Sequence, residues 1–330
     1  SVMANDQLTW ETTDQWNVGV DFGFLKNRIN GTVEFYLQNT KDLLLKRQLP
    51  VVSGFSSVMS NVGSTRNKGI EITLNTRNIM NRNFTWSTDL TFSANKEEIV
   101  ELYNGKTDDV GNLWFIGQPI DVYYNYKKIG IWQNTENDLA EMAKFNEKGA
   151  NFKPGSIRLE DVDGDYKITE EDKQILGSVR PKFVASMVNN FEFKGFDLSV
   201  FLYASVGGLL RNNIEFMEKP GRGNTVKVDY WTPTNPTNAF PRPSVDVEKL
   251  DYISTLGYDK ADFLRIRNIT LGYTLPEMWS KKVLMDKIRI YLSANNPAIF
   301  TNFTGIDPEG ANGRTAPSYS TWMFGINLSM

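Results

Sequence analysis

The chain has 330 residues, of which 36 are basic, 39 acidic and 40% hydrophobic, and it contains neither cysteine nor histidine; that length suits one large or two medium domains. Disulfides, thiol chemistry, histidine metal sites and Ser-His or Cys-His catalysis are therefore excluded, leaving carboxylates as the available acid/base groups. The near-even charge, with no basic cluster interleaved with aromatics, argues against nucleic acid as a partner, no run of 18 apolar residues offers a transmembrane helix, and the start at Ser1, with neither signal peptide nor initiator Met, is that expected of a trimmed chain.

Near the N-terminus, Val18, Val20, Phe22 and Phe24 alternate with Asn17, Gly19, Asp21 and Gly23. A period of two predicts a strand. Lys26 and Asn27 turn the chain, after which Ile29, Val33, Phe35 and Leu37 oppose Asn30, Thr32, Glu34 and Tyr36 as the second strand of a hairpin. The pattern returns at 67–76 (Ile70, Ile72, Leu74), at 83–94 (Phe84, Trp86, Leu90, Phe92), and at 183–193, 195–206, 262–275, 286–296 and 320–330. Nine long strands are predicted, with a bulge near Arg267 to Ile269, where the apolar parity changes.

These strands run nine to fourteen residues, which is the length that crosses a bilayer when tilted, whereas strands of soluble sheets average about six. The connections alternate between short (26–27, 78–83, 194–195, 276–286) and long (39–66, 96–179, 207–261, 297–319), as outer-membrane barrels alternate periplasmic turns with external loops. The expected fold class is all-β, a transmembrane antiparallel barrel. The competing fold is a soluble β-sandwich, which explains the period of two but not the strand length or the one-sided long loops. Segment 123–132 resembles a tenth strand, yet counting it as spanning would put the next strand on the wrong side, so it is assigned to the 96–179 excursion. The alternation points Val18, Val20, Phe22, Phe24, Leu90 and Phe92 to lipid and Asp21, Glu34, Tyr36, Asp89 and Arg289 to the lumen. Trp16, Phe84, Trp86, Tyr273 and Trp322 read as interfacial anchors. Nine antiparallel strands cannot close a barrel, and an open edge in lipid leaves backbone groups unpaired, so both edges are expected to pair with further polypeptide.

The sharpest motif is DVDGDYKITEED at 161–172, which has the spacing of an EF-hand calcium loop. In that reading Asp161, Asp163 and Asp165 give side-chain oxygens, Lys167 its carbonyl, Thr169 a water-mediated contact and Asp172 the closing carboxylate of a structural calcium site. In the other reading Thr169 and Asp172 form a capping box opening a short helix, TEEDKQI, with the upstream acids solvated. The long loops are rich in rings: Trp114, Phe115, Tyr123, Tyr124, Tyr126, Trp132, Tyr230, Trp231, Phe240, Tyr252 and Tyr258. Of these, Trp114, Phe115, Tyr124, Trp132, Tyr230, Trp231 and Tyr252 are the candidates for contact with a ligand or partner, since sugars stack on aromatic faces; the alternative is that they pack the loops together. No two acids form a glycosidase-like acid/nucleophile pair, so the chain is not expected to be an enzyme. The alternative function is that of a secreted, calcium-binding, lectin-like sandwich.

Several segments in fixed order carry a family resemblance: WETTDQWNVGVDFGFLKNRINGTVEFYLQNTKDLLL, NVGSTRNKGIEITLN, PGSIRLEDVDGDYKITEEDKQILGSVRPKF, NNFEFKGFDLSVFLYASVGG and FLRIRNITLGYTLP. Together they resemble the C-terminal barrel region of SusC-type TonB-dependent transporters over essentially the whole chain. The resemblance implies a barrel of about 22 strands, of which these nine are the last, preceded by an N-terminal plug and TonB-contacting segment not contained in the chain. It further implies the outer membrane of a Gram-negative, Bacteroidetes-type bacterium, a SusD-like lipoprotein over the external mouth, and TonB-powered import of oligosaccharides or peptides. Two positions depart from the family pattern. Tyr166 stands where the calcium-like loop carries Gly, and Met330 stands where outer-membrane barrels end in an aromatic.

Overall fold

The computed structural model describes residues 2–212, 228–243, 251–309 and 318–330. After a short β1 (Val2–Met3), the hairpin β2 (Thr12–Phe24) and β3 (Ile29–Lys41) is followed by β4 (Leu44–Gln48) and β5 (Ser57–Asn61), then by the long β6 (Ser64–Met80) and β7 (Phe84–Glu101). An excursion carries β8 (Val122–Tyr126), β9 (Lys128–Ile131), α1 (Glu136–Glu147), β10 (Ile157–Leu159) and β11 (Lys173–Ser178). The chain then returns through β12 (Phe183–Phe193) and β13 (Phe196–Val206), makes the small hairpin of β14 (Leu209–Arg211) with β15 (Tyr258–Lys260), and ends in β16 (Phe263–Thr274), α2 (Glu277–Lys281), β17 (Lys287–Thr301) and β18 (Thr321–Ser329).

Nine of these strands form one antiparallel meander in the order β2-β3-β6-β7-β12-β13-β16-β17-β18, and they are the nine the alternation predicts. Pairing makes the alternation a property of the whole sheet. One row runs Val20, Val33, Ile72, Phe92, Ala185, Ala204, Leu264, Phe300 across eight strands. The adjacent row on the opposite face runs Asp21, Thr32, Thr73, Thr91, Ser186, Tyr203, Arg265. Within that polar row the Thr32 hydroxyl donates to Asp21 at 2.7 Å, and Thr91 and Ser186 share a hydrogen bond of 2.7 Å. The apolar face is left open, with Val20 60% exposed and Trp16, Phe35, Leu292, Trp322 and Phe324 exposed beside it. So extended an apolar surface is stable only against lipid.

The sandwich alternative fails here: among the described residues the other sheets have only two or three strands each, and none provides a second large layer over the apolar face. The parity change lies where expected, because the β13 partner skips from Ile266 to Asn268 and leaves Arg267 as the extra residue of a bulge. The sheet stays open, with β2 and β18 as its two edges.

Segment 123–132 indeed belongs to the excursion: β8 pairs with β11 and β9 with β10, both apart from the large sheet. The sequence TEEDKQI does not continue as a helix. A single 3-10 turn at Glu170–Asp172 gives way at once to β11, because Lys173, Gln174 and Ile175 find strand partners in Tyr126, Asn125 and Tyr124. Conversely, α1 lies in a stretch without strand alternation. Thr135 caps it by accepting from Asp138 N, and Met142 and Phe145 are buried three residues apart.

Candidate functional site

Residues 102–182 and the described residues of 207–262 fold into one body at the long-loop end of the sheet rather than two separate loops. Ile131, Ile157 and Leu159 from the first pack with Trp231 and Leu256 from the second. Polar contacts tie the same halves: Lys128 Nζ donates to the carbonyls of Asn238 (2.8 Å) and Ala239 (2.6 Å), Ile131 N to Asn238 Oδ1 (3.0 Å), and Trp231 Nε1 to Gln133 Oε1 (2.8 Å). Burial lowers the pKa of Lys128, while Asp259 acts in the opposite direction. Beside Lys128 in the chain, the Lys127 ammonium (3.0 Å), together with the Gln174 amide (2.7 Å), holds the Glu160 carboxyl below the usual carboxylate range.

The candidate rings divide into two groups. Trp132 is 1% exposed and sits in a cluster with Met142, Phe145 and Phe152, its face covered by the Arg158 guanidinium 4.4 Å from the ring centroid. Phe115 and Trp231 are likewise buried, so these three pack the body and cannot present a face to a ligand without its opening. Tyr124 is half-buried, 4.8 Å from Phe115 between centroids, and half-buried Tyr252 bridges Tyr126 and Phe152. Trp114 is half-buried, and Tyr230 is the most open, at 47%. Residues 213–227 and 244–250 of the 207–261 loop lie outside the described residues.

The acidic loop brings Asp161, Asp163 and Asp165 together, with one carboxylate oxygen of each within 4.8 Å of the others. Asp161 accepts from Gly164 N and Tyr166 N (both 2.9 Å), and Asp165 from Lys167 N (2.7 Å). Tyr166 takes a left-handed φ of 63°, a conformation that a bulky side chain adopts only under constraint. That constraint is visible, because its ring packs edge-on against Phe145 with Lys144 above it. Asp172 lies apart from the three, fully buried, and completes the capping box: its oxygens accept from Val162 N (2.8 Å) and Thr169 N (2.7 Å).

Where the body meets the strand rims there is a cleft of about 910 Å³, bordered by Asn95, Gln118, Lys182 and Lys260. Arg180 braces its wall through Glu97 (2.9 Å) and Asp121 (3.2 Å). A second polar group was invisible to spacing arguments, since its members lie 42 residues apart in the chain. Arg265, on the polar face of β16, is buried against Asp307 at 2.7 Å and faces Glu309 at 3.4 Å, while Arg267 pairs with the other oxygen of Glu309. Ser318 and Glu309 N also donate to Asp307. Burial alone would raise the Asp307 carboxyl, but these donors outweigh it and hold it below the usual range.

A polar face, an apolar face left open and a single loop body at one end are the parts of a membrane pore wall. The family model described as TonB dependent receptor-like, beta-barrel, matches residues 1–297. The chain belongs to that family. TonB-dependent receptor P3 of Formosa agariphila is 32% identical over 357 residues, covering 98% of this chain and 35% of the relative. The TonB-dependent receptor SusC of Bacteroides thetaiotaomicron is 30% identical over 339 residues, covering 98% and 32%. The solved RagAB peptide transporter superposes with a TM-score of 0.77 at 25% identity, covering 98% of this chain and 36% of that one. The chain thus spans about a third of the length of the relatives it matches. Like other TonB-dependent receptor barrels it is an outer-membrane protein, and its nine strands are a sector of a barrel wall.

Proposed function

We propose that the full-length protein imports a nutrient across the outer membrane, powered through TonB, with a SusD-like lipoprotein seated on the body at the external, long-loop end. The observation that carries this reading is the continuous polar face that begins at the lower turns and ends under the aromatic body and its cleft. A solute released from the body would meet hydrogen-bonding groups along the whole descent, with bulk lipid kept behind a single layer of strands. The ligand is an oligosaccharide or a peptide, and the likeness to the solved RagAB peptide transporter supports the second. Binding without chemical turnover is the activity expected. The test is growth of cells carrying the full-length gene with residues 228–243 shortened, on candidate glycans and peptides. Loss of growth on one class, with the barrel still assembled, supports the reading, whereas turnover of substrate by the purified protein overturns it.

Calcium fits the acidic loop as a structural ion. Three convergent carboxylates repel without a cation, and the Lys167 carbonyl is the further oxygen donor nearby in sequence. Asp172 retains lone pairs beyond the two N–H groups it accepts, but it lies apart from the three, so to close the site the loop would have to draw in around the ion. Bound there, the ion would fasten the segment between β10 and β11 to α1 through the contact of Tyr166 with Phe145.

A further inference from the structure

Four connections lie at the short-turn end of the sheet, and three of them are brief and rich in basic residues, with Leu25 as their one exposed large apolar side chain: residues 25–28, 81–83 and 194–195, which supply Lys26, Arg28, Arg82 and Lys194. The fourth, residues 275–286, departs from them. Pro276 starts α2 by accepting from Trp279 N, and Ser280 N also donates to it. The turn closes with Met285 N on Ser280 O. Ser280 is the helix residue buried against the rest of the fold. Leu275 and Met285 are half-buried, but four large apolar side chains point away: Met278 is 67% exposed, Trp279 54%, Val283 56% and Leu284 89%. Leu284 also takes a left-handed φ of 60°, a position where Gly would serve a water-facing turn without strain.

Four large apolar groups on a twelve-residue connection gain nothing from water. Their surroundings name another medium. The strands that flank the connection carry Tyr273 and Ile290 as a directly paired couple on the lipid-facing side, so the apolar surface of the connection continues the membrane face of the sheet. Exposed Lys281 and Lys282 sit among these groups, and Glu277 pairs with Lys281. An indole and aliphatic side chains with lysines beside them form the composition that settles at a membrane interface, with rings at the headgroup level and ammonium groups reaching for phosphate.

We propose that residues 276–284 form an interfacial foot. Met278, Trp279, Val283 and Leu284 enter the acyl boundary of the leaflet at the short-turn end, and Lys281 and Lys282 contact its phosphates. The foot fixes the height and tilt of the β16–β17 hairpin in the bilayer, a task for which the three short turns, with Leu25 as their single exposed large apolar side chain, are not equipped.

The full-length protein, in a cysteine-free background, is reconstituted in vesicles of phosphatidylethanolamine with a minor fraction of phosphatidylglycerol. Single nitroxide labels are placed through Val283→Cys, Leu284→Cys, Leu292→Cys (lipid face) and Lys194→Cys (short turn). Collision rates with oxygen, which partitions into lipid, and with a water-soluble nickel complex report the depth of each label. The expected result is that labels at 283 and 284 favour oxygen several-fold, as the label at 292 does, while the label at 194 favours nickel. Both foot positions are largely exposed, so either label serves if the other variant assembles poorly. Nickel-dominated collisions at 283 and 284 would mean that the foot hangs in water, and shielding from both agents would mean that protein covers it; each overturns the proposal.

Discussion

The ring of Tyr36 lies over Gly69 on the neighbouring strand, so close that a Cβ at Gly69 would stand 2.4 Å from it. The two residues are direct cross-strand partners on the polar face of β3 and β6, and the missing side chain is what lets the ring lie flat on the sheet. Gly325 and Tyr291 repeat the arrangement between β18 and β17. Gly69→Ala should force the ring off its seat and destabilise the barrel by about 1–3 kcal/mol, the usual cost of overpacking. Tyr36→Phe should cost far less. Urea unfolding of the full-length protein in vesicles, followed by tryptophan fluorescence, measures both, and an unchanged midpoint for Gly69→Ala would show that the ring moves freely.

Neighbouring positions on one strand should respond oppositely to charge. Val20 faces lipid and Asp21 the polar face. Val20→Lys should therefore cost about 2–4 kcal/mol if the residue lies near the midplane, whereas Asp21→Lys should lose only its hydrogen bond from Thr32. Comparable losses from the two substitutions in the same unfolding experiment would mean that the faces are assigned the wrong way round.

The sheet was legible because one solvent on each face imposes the alternation residue by residue. The signal fades where that condition ends. The sequence pattern closes the fourth strand at residue 94, yet β7 runs to Glu101, since beyond the bilayer both faces are wet and charged pairs such as Arg66 with Glu98 replace apolar rows. The loop body was less legible. Trp132 and Tyr230 are both aromatic residues in long loops, and only the packing of Phe145 and Phe152 around the first separates a core residue from an exposed one. Helix α1 did carry a signal, in the Thr135 cap and the spacing of Leu139, Met142 and Phe145, but it lies within a chain otherwise read for a period of two. The pair of Arg265 and Asp307 carried none, because a contact between residues so distant in sequence depends on the path of the last loop.

That pair ties the last long loop to the strand rim in a pH-dependent way. The Asp307 carboxyl is held below its ordinary value, so its contribution is fully present above the unfolded carboxylate pKa. It is lost as pH falls through the lower folded value. Asp307→Asn should remove this acid sensitivity while costing at most about 3–5 kcal/mol at neutral pH, because buried Arg265 loses its nearer carboxylate and keeps only Glu309. Hydrogen exchange of residues 302–309 at several pH values reads the loop directly. Protection factors in the wild type, corrected for the intrinsic exchange rate at each pH, that do not fall in acid would remove the pair from this role.

The acidic loop separates ion binding from capping. Asp163→Asn should weaken calcium binding, measured by calorimetry on the full-length protein, and leave the unfolding temperature without calcium nearly unchanged. Asp172→Ala should lower that temperature even without calcium, since Val162 N and Thr169 N lose their buried acceptor, a loss of about 1–3 kcal/mol. If neither variant alters the calcium heat, the loop is a cap alone.

Exposure should likewise separate core rings from ligand-facing ones. Trp132→Ala removes the centre of the cluster formed with Phe145 and Phe152 and should destabilise the loop body by about 3–5 kcal/mol, with any loss of uptake following from unfolding of that body. Tyr230 is half out of the surface, so Tyr230→Ala should leave stability within about 0.5 kcal/mol of wild type and change ligand or lipoprotein affinity directly. Limited proteolysis reports the integrity of the body, and a binding titration with the transported glycan or peptide reports affinity. Each variant should move one readout first: Trp132→Ala the proteolysis pattern, Tyr230→Ala the titration. A Trp132→Ala protein that resists protease yet fails to bind would place that buried ring at the ligand after all.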